Sequence, residues 1–116
     1  MTTRRVEKKD WSTFFDGASK AGGLEGKRAD IEISGPQLGN QIAAKSVPVF
    51  GVVYNPKDDV LEIALESLDH LIRHPAEIFV EETGTVLLSI SVKDGEGMQH
   101  LIRLSDPLAL PADTKS

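Results

Sequence analysis

The sequence predicts an α+β domain in which one N-terminal helix packs on a strongly twisted, mainly antiparallel sheet of about six to eight strands. Two observations support this prediction. Residues 29–103 break into short apolar runs of alternating polarity, and each run ends at Gly, Pro, Asn or Asp. One helical pattern, which contains Trp11, Phe14 and Phe15, precedes these runs. Many short strands with one segregated helix are typical of this fold class.

The size and composition of the chain indicate one globular domain. The chain has 116 residues, of which 40% are hydrophobic and 27% are charged, and these values are near the globular average. It contains no cysteine, which excludes disulfides, thiolate catalysis and zinc sites built on cysteine. We expect a single domain over 1–116, with a flexible arm over 1–8 and an extended tail over 105–116.

Charge and hydropathy argue against a nucleic acid or a membrane as the partner. The formal net charge is −5, whereas phosphate binding needs a concentrated positive surface. The basic cluster of Arg4, Arg5, Lys8 and Lys9 lies in the predicted arm. The start of the chain lacks the apolar stretch of a signal peptide, and no window approaches the ~18 apolar residues of a membrane helix. We therefore expect a cytoplasmic protein.

The helix is predicted over 11–21. Asp10 precedes it and is a suitable N-cap, because its carboxylate can accept hydrogen bonds from free N–H groups of the first turn. Gly22 and Gly23 follow it and can adopt the left-handed conformation that ends a helix. A helix of this length is marginal alone. Its aromatic side chains are therefore expected to pack on the sheet.

Strands are predicted in chain order over 28–34, 41–45, 49–54, 60–66, 70–73, 77–82, 86–92 and 98–104. The segment 60–74 is ambiguous. Its residues alternate as in a strand, with Leu61, Ile63 and Leu65 inward, but its leucines also fit a helical stripe. We favour two strands joined by a bend at 67–68 over one helix.

Several predicted strands are apolar on both faces. The third strand divides its apolar residues between the faces, with Val49 and Val53 on one and Phe50, Val52 and Tyr54 on the other. A single helix cannot cover two faces of a broad sheet. The sheet must therefore curl into a partly closed barrel or bury its second face against another subunit. We expect a homo-oligomer or an unidentified protein partner.

The densest group of functional side chains lies in the segment Asp69-His70-Leu-Ile-Arg73-His74-Pro. On a helix, His70 and His74 would lie one turn apart, as two metal ligands can. On a strand they would be ~13 Å apart, too far for one ion. We expect no metal and no cofactor. The candidate ligand-binding residues are Asp69, His70, Arg73 and His74, because their polar groups cluster where the chain bends.

No catalytic set is predicted. The three histidines are His70, His74 and His100, and no serine lies in a nucleophile-elbow sequence beside which one of them could act. Acidic residues such as Glu62 and Glu66 alternate with apolar ones, as expected of a solvent-facing row. The glycine-rich segment 22–27 follows a helix and precedes a strand, which is the wrong context for a phosphate loop.

Two parts of the chain resemble a family of small uncharacterised bacterial proteins, one of the domain-of-unknown-function families. The first is the opening segment with Asp10-Trp11-x-x-Phe14. The second is Asp69-His-Leu-Ile-Arg-His-Pro75 leading into Glu77-Ile78, with the closing segment over 104–111. The resemblance spans 5–111. It implies a freestanding bacterial domain and no established activity, cofactor or catalytic residue.

These observations lead to two expectations about function. The first is a non-enzymatic binding or protein-interaction module that self-associates, because the strands have two apolar faces and no catalytic set converges. The alternative is a small enzyme or ligand carrier with a pocket near Asp69, His70, Arg73 and His74. That alternative requires at least three of these side chains to converge on one concavity.

Overall fold

A computed structural model describes residues 2–20, 24, 26–37, 39–66, 68–84 and 86–106. Within this part of the chain it contains one α-helix, one short 3-10 turn and eight strands. Their bounds are β1 (Thr2–Val6), the 3-10 turn (Lys8–Asp10), α1 (Trp11–Lys20), β2 (Arg28–Gly35), β3 (Gly39–Asn55), β4 (Val60–Leu65), β5 (His70–Arg73), β6 (Pro75–Thr83), β7 (Val86–Asp94) and β8 (Gln99–Ser105). The α+β prediction is confirmed.

The eight strands form one curled sheet in the order β1-β6-β7-β8-β2-β3-β4-β5, and every neighbouring pair is antiparallel. Only His74 separates β5 from β6 in the chain, yet β5 is last in this order and β6 is second. The sheet must therefore bend until its two ends approach each other. The result is a half-barrel whose concave face holds the core.

Helix α1 packs on β3 and covers the open side of the core. The Trp11 indole N–H donates to the Val6 carbonyl oxygen at 2.8 Å, and its ring meets the Tyr54 ring edge-on at 5.0 Å between centroids. The Ser19 hydroxyl accepts from the Val52 N–H and donates to the Val52 carbonyl oxygen, each at 3.0 Å. Helix α1 thus satisfies backbone groups of β3 that lie beyond the end of β2. No helix among the described residues is long and apolar enough to cross a membrane.

The N-terminal residues differ from the prediction. Residues 2–6 were expected in a flexible arm, but they form β1, which pairs with β6 from Thr2↔Glu82 to Val6↔Ile78. The Arg4 guanidinium also reaches Glu82 across this pair, at 2.9 Å. The basic residues therefore line an edge strand, where charged side chains limit pairing with other chains.

The predicted N-cap is also wrong. Asp10 lies in the 3-10 turn, and its N–H donates to the Glu7 carbonyl oxygen at 2.8 Å. Because this turn leads directly into α1, no extended residue remains between them to cap the helix. The predicted helix end at residue 21, the bend residue 67 and the tail from 107 lie outside the described residues; residue 105 belongs to β8.

The two strands predicted over 41–45 and 49–54 form the single long strand β3, whose first part pairs with β2 and whose second part pairs with β4. A register shift lies between Val49 and Gly51. Such a bulge adds a residue and reverses the alternation beyond it. The predicted faces are therefore wrong: Val49, Val52 and Tyr54 are buried together, and Phe50 and Val53 are exposed.

The segment 60–74 forms two strands, as favoured, and not a helix. Leu61, Ile63 and Leu65 of β4 are buried as predicted, and Ile72 of β5 is buried on the same side of the sheet. The alternation was sufficient here because no register shift interrupts the pairing of β4 with β5.

Candidate functional site

The predicted ligand-binding residues do not all meet in one place. Arg73 and His74 line a cavity of about 600 Å³ between β5 and the β7–β8 hairpin. His70 faces the inside of the half-barrel, where its Nε2 lies 3.1 Å from Nδ1 of His100. Asp69 accepts a backbone N–H from the end of β4 at 3.3 Å and so closes the bend before β5. Two of the four predicted residues share this cavity, which is fewer than the three that the ligand-carrier alternative requires.

The sequence analysis missed a buried chain of hydrogen bonds that runs from Asp94 through His100 to His70. Asp94 Oδ1 accepts the N–H groups of Glu96 and Met98 at 2.9 and 3.0 Å. Asp94 Oδ2 lies 2.9 Å from Nε2 of His100. If His100 Nε2–H donates to the carboxylate, His100 Nδ1 must accept the hydrogen that His70 Nε2 donates. The carboxylate therefore assigns the tautomer of both rings.

One signal in the sequence could have identified His100. It alternates with Ile102 and Leu104 along β8, and all three are buried. A histidine on an inward face needs a polar partner, because an unsatisfied buried polar group is costly. Asp94 is a candidate for this partner, because it ends β7 on the other side of the tight hairpin loop that leads to β8.

The electrostatics of this chain favour one charge state near neutral pH. Burial, together with the neighbouring His100, lowers the pKa of His70 to about 4. Burial alone would raise the pKa of Asp94, but hydrogen bonds from His100 and from the N–H groups of Glu96 and Met98 outweigh it, and the pKa is lowered. Near neutral pH Asp94 is therefore an anion and His70 is neutral.

This arrangement resembles part of a catalytic triad, in which a carboxylate orients a histidine. The third member is missing, because no hydroxyl of the described residues hydrogen-bonds to His70 or His100. No group of three His, Asp or Glu side chains in the described part of the chain could hold a metal ion. The chain of Asp94, His100 and His70 instead ties β5 to the β7–β8 hairpin across the half-barrel.

A second polar group holds the corner between β5 and β6. The Tyr54 hydroxyl donates to Asp59 Oδ1 at 2.6 Å, and Asp59 Oδ2 lies 3.3 Å from Nδ1 of His74. The hydrogen bond from Tyr54 lowers the pKa of Asp59, against a smaller opposing effect of burial. Burial and the same bond raise the pKa of Tyr54 to about 12. These residues hold the turn between β5 and β6, so His74 has a structural role that requires no ligand.

The outer face of β3, β4 and β5 carries a different set of side chains. The strand register places Val53, Glu62 and Leu71 in one row across the three strands. Val53 is 48% exposed, Leu71 is 45% exposed, and Phe50, which projects from the bulge of β3, is 67% exposed. Arg73 lies on the same outer side of β5 as Leu71. We call the four residues Val53, Glu62, Leu71 and Arg73 the outer patch.

The outer patch surrounds a concavity of about 470 Å³, whose lining includes Val53, Glu62, Leu71 and Arg73. A hydrogen bond with the Asp69 carboxyl, with a smaller effect of burial, raises the pKa of Glu62. Arg73 forms no ion pair with any other described residue. The patch thus combines apolar side chains with an acid and a base that do not neutralise each other.

Comparison with known proteins gives two similarities. The model of a family of unknown function (DUF5335) matches residues 2–113, a span that contains every residue discussed above. A protein of Aquifex aeolicus (strain VF5), described as an uncharacterized protein, is 38% identical over 112 residues, which are 96% of this chain and 99% of the relative. No solved structure matches the chain significantly.

Proposed function

The chain belongs to DUF5335, a family of unknown function, and we propose that it is a non-enzymatic protein-interaction module that self-associates through the outer patch. The family membership confirms the resemblance found in the sequence. One observation carries the proposal, which is the exposure of Val53 and Leu71 on the same face of adjacent strands. From the sequence, we propose the cytoplasm as its compartment.

The grouping of these side chains matters more than their exposure. Isolated apolar side chains are common on protein surfaces, but adjacent ones mark interaction sites. Ile42 is 69% exposed on the first part of β3, in a row with Glu32 and Leu101, but Leu101 is half-buried, so only one apolar side chain of that row is exposed. In the outer patch, two exposed apolar side chains occupy one row across three strands. Burial of apolar surface contributes about 25 cal/mol per Å², so this face gains from being covered.

The size of the outer patch limits the affinity. Three strands spaced ~4.8 Å apart, with six residues at ~3.3 Å each, give a footprint of about 14 × 20 Å. This is well below the ~800 Å² that each partner buries in a standard interface. We therefore expect the contact to include neighbouring side chains and the dissociation constant to lie in the micromolar range.

The test is sedimentation velocity or light scattering over a concentration series from about 1 μM to about 1 mM. The wild-type chain should pass from monomer to dimer. Val53→Ser combined with Leu71→Ser should remain monomeric, because it removes the apolar row. Ile42→Ser is the matched control, since it removes an equally exposed apolar side chain outside the patch, and it should dimerise normally. A wild-type chain that stays monomeric throughout would rule out the proposal.

A second candidate function is a ligand carrier or small enzyme at the cavity between β5 and the β7–β8 hairpin. The observation in its favour is that His100 lines this cavity with its tautomer set by Asp94, while Arg73 supplies a cation at the rim. Arginine binds carboxylate and phosphate. Titration with acetate and with inorganic phosphate should then shift the ring resonances of His100 in NMR spectra. Unchanged resonances with both anions would reject anion binding here.

A further inference from the structure

The charged residues of the outer patch indicate how two copies meet, and this inference rests on the proposed self-association. We infer that the dimer is two-fold symmetric and that Glu62 of each copy pairs with Arg73 of the other, across the apolar side chains of Val53 and Leu71. The surface is thus a self-complementary interface, and the partner that it fits is a second copy of this chain.

The first step of the argument compares Glu62 and Arg73 with Glu32 and Arg103. Leu101 lies directly opposite Glu32, and Arg103 is two residues further along β8. In the same way, Leu71 lies directly opposite Glu62, and Arg73 is two residues further along β5. The geometry of the register is therefore the same. Glu32 and Arg103 meet at 3.0 Å. Glu62 and Arg73 form no ion pair with each other.

The second step concerns the neighbours of each arginine. Asp30 stands directly opposite Arg103 and adds a second carboxylate near that guanidinium. The residue opposite Arg73 is Val60, which adds no charge; Asp58 lines the same concavity as Arg73 but forms no ion pair with it. On the other side, the Glu62 carboxyl lies beside a second acid, Asp69, to which it hydrogen-bonds. The outer patch therefore carries an unpaired cation, Arg73, one diagonal step from the acid Glu62.

The third step follows from symmetry. A two-fold axis that passes between Glu62 and Arg73 places the cation of one copy over the acid of the other. The same contact then occurs twice, with Val53 and Leu71 on either side of Glu62. An unrelated partner would have to supply matching charges of its own, whereas a second copy supplies them without any further requirement.

Reciprocal charge reversal tests the inference. Glu62→Arg alone and Arg73→Glu alone each place like charges opposite each other at both contacts of the symmetric dimer. Each variant should dimerise at least about tenfold more weakly than wild type. An equimolar mixture should form a heterodimer within about threefold of the wild-type affinity, because both contacts then join opposite charges.

Matched controls come from the pair that is already satisfied within the chain. Glu32→Arg and Arg103→Glu should leave dimerisation unchanged, separately and mixed, because this pair lies outside the patch. Circular dichroism melts of every variant establish that it is folded. If a reversal at Glu62 or Arg73 unfolds the chain, Glu62→Gln and Arg73→Gln replace it, and each should abolish the salt dependence of dimerisation.

The outcomes distinguish a failure of the proposed self-association from a failure of the proposed pairing of Glu62 with Arg73. A monomeric wild-type chain contradicts the proposed function itself. A wild-type dimer whose affinity survives both single reversals contradicts only the pairing of Glu62 with Arg73. Single reversals that weaken the dimer without recovery in the mixture also overturn the reciprocal pairing, and they would indicate that the two residues pair within one chain.

Discussion

The outer face of the sheet has two halves that differ in how their charges are used. On β1, β6, β7, β8 and β2, an ion pair connects neighbouring strands, from Arg103 of β8 to Glu32 of β2. On β3, β4 and β5, exposed apolar side chains surround an acid and a base that do not pair. The first half neutralises this acid and base within the chain, although Phe79 of β6 is 38% exposed there. The second half lacks that internal charge pairing.

This difference shows that residue type and register do not decide the role of a charge. A glutamate and an arginine with the same diagonal relation form an internal ion pair in one half and remain separate in the other. The surroundings of the two arginines differ, because Asp30 lies directly opposite Arg103 and Val60 lies directly opposite Arg73. The same pair of residues can therefore close a surface or leave it ready for a partner.

The largest expected effect comes from separating the two halves. Asp94 and His100 belong to one half and His70 to the other, so their chain of hydrogen bonds joins them. Asp94→Asn replaces the carboxylate that accepts the His100 hydrogen bond with a neutral amide. This change should lower the free energy of unfolding by about 3 kcal/mol. Urea denaturation measures this change. Glu96→Gln in the same hairpin is the control and should change stability by less than about 0.5 kcal/mol. Equal effects of the two substitutions would contradict the link.

The pH dependence of stability tests the same hydrogen-bonded link by protonating His70. The pKa of His70 is about 4 in the folded chain and 6.5 as its ordinary value, so the unfolded chain binds the extra proton between these values. The stability that neutral His70 provides is present above pH 6.5 and is lost as the pH falls to 4. We expect a loss of about 2 kcal/mol, reduced from the full value because His70 is partly exposed.

Urea denaturation of wild type and of His70→Gln at several pH values isolates this contribution. The wild-type curve should fall more steeply than the variant curve between pH 6.5 and pH 4, because only the wild type has the titrating ring. The lowered pKa of Asp94 adds a further loss as the pH falls below that carboxyl's ordinary value of 3.8. Parallel curves over the upper range would show that His70 does not titrate as inferred.

A smaller effect should follow from making the apolar half resemble the paired half. Val60→Asp places a carboxylate opposite Arg73, just as Asp30 lies opposite Arg103. Arg73 should then be neutralised within its own chain, and dimerisation should weaken about tenfold, or about 1.4 kcal/mol. Sedimentation velocity measures the affinity, and Val60→Asn controls for the lost apolar surface. An aspartate and an asparagine with identical affinities would remove the charge from the explanation.

The smallest effect is expected on the half whose charges are already paired. Arg103→Gln breaks the contact with Glu32, in which 55% and 36% of the two side chains are exposed. Exposed ion pairs contribute little, so the free energy of unfolding should fall by about 0.5 kcal/mol and the dimer should be unaffected. A loss as large as that of Asp94→Asn would mean that this pair is structural, and the comparison of the two halves would need revision.

The sequence predicts best where alternation is uninterrupted. β4 is predicted with its inward residues Leu61, Ile63 and Leu65 because the extra residue of the bulge lies in β3, so β4 keeps its alternation. β3 is predicted in two parts with the wrong faces; its one signal of the shift is Gly51, since a glycine inside a strand pattern indicates a bulge. β1 is missed because its threonines and arginines do not alternate with apolar residues; its strand form depends on the neighbouring β6.

The functional groups are predicted less well than the fold, for a related reason. Asp69, His70, Arg73 and His74 are close in the sequence, but the bend and the strand direct them to different surroundings. His70 instead meets His100 and Asp94, which are distant in the sequence and approach it only because the sheet curls. The bulge in β3 likewise leaves both Phe50 and Val53 exposed, although alternation alone assigns them to opposite sides.

The single residue between β5 and β6 has a mechanical consequence. His74, with a φ of +54°, carries the chain from the last strand of the sheet directly to the second, and its carbonyl oxygen accepts the Gly95 N–H at 2.8 Å. This covalent connection closes one end of the gap between β5 and β6, where a fully closed barrel would have a ladder of hydrogen bonds. The gap can therefore widen only at the end remote from His74.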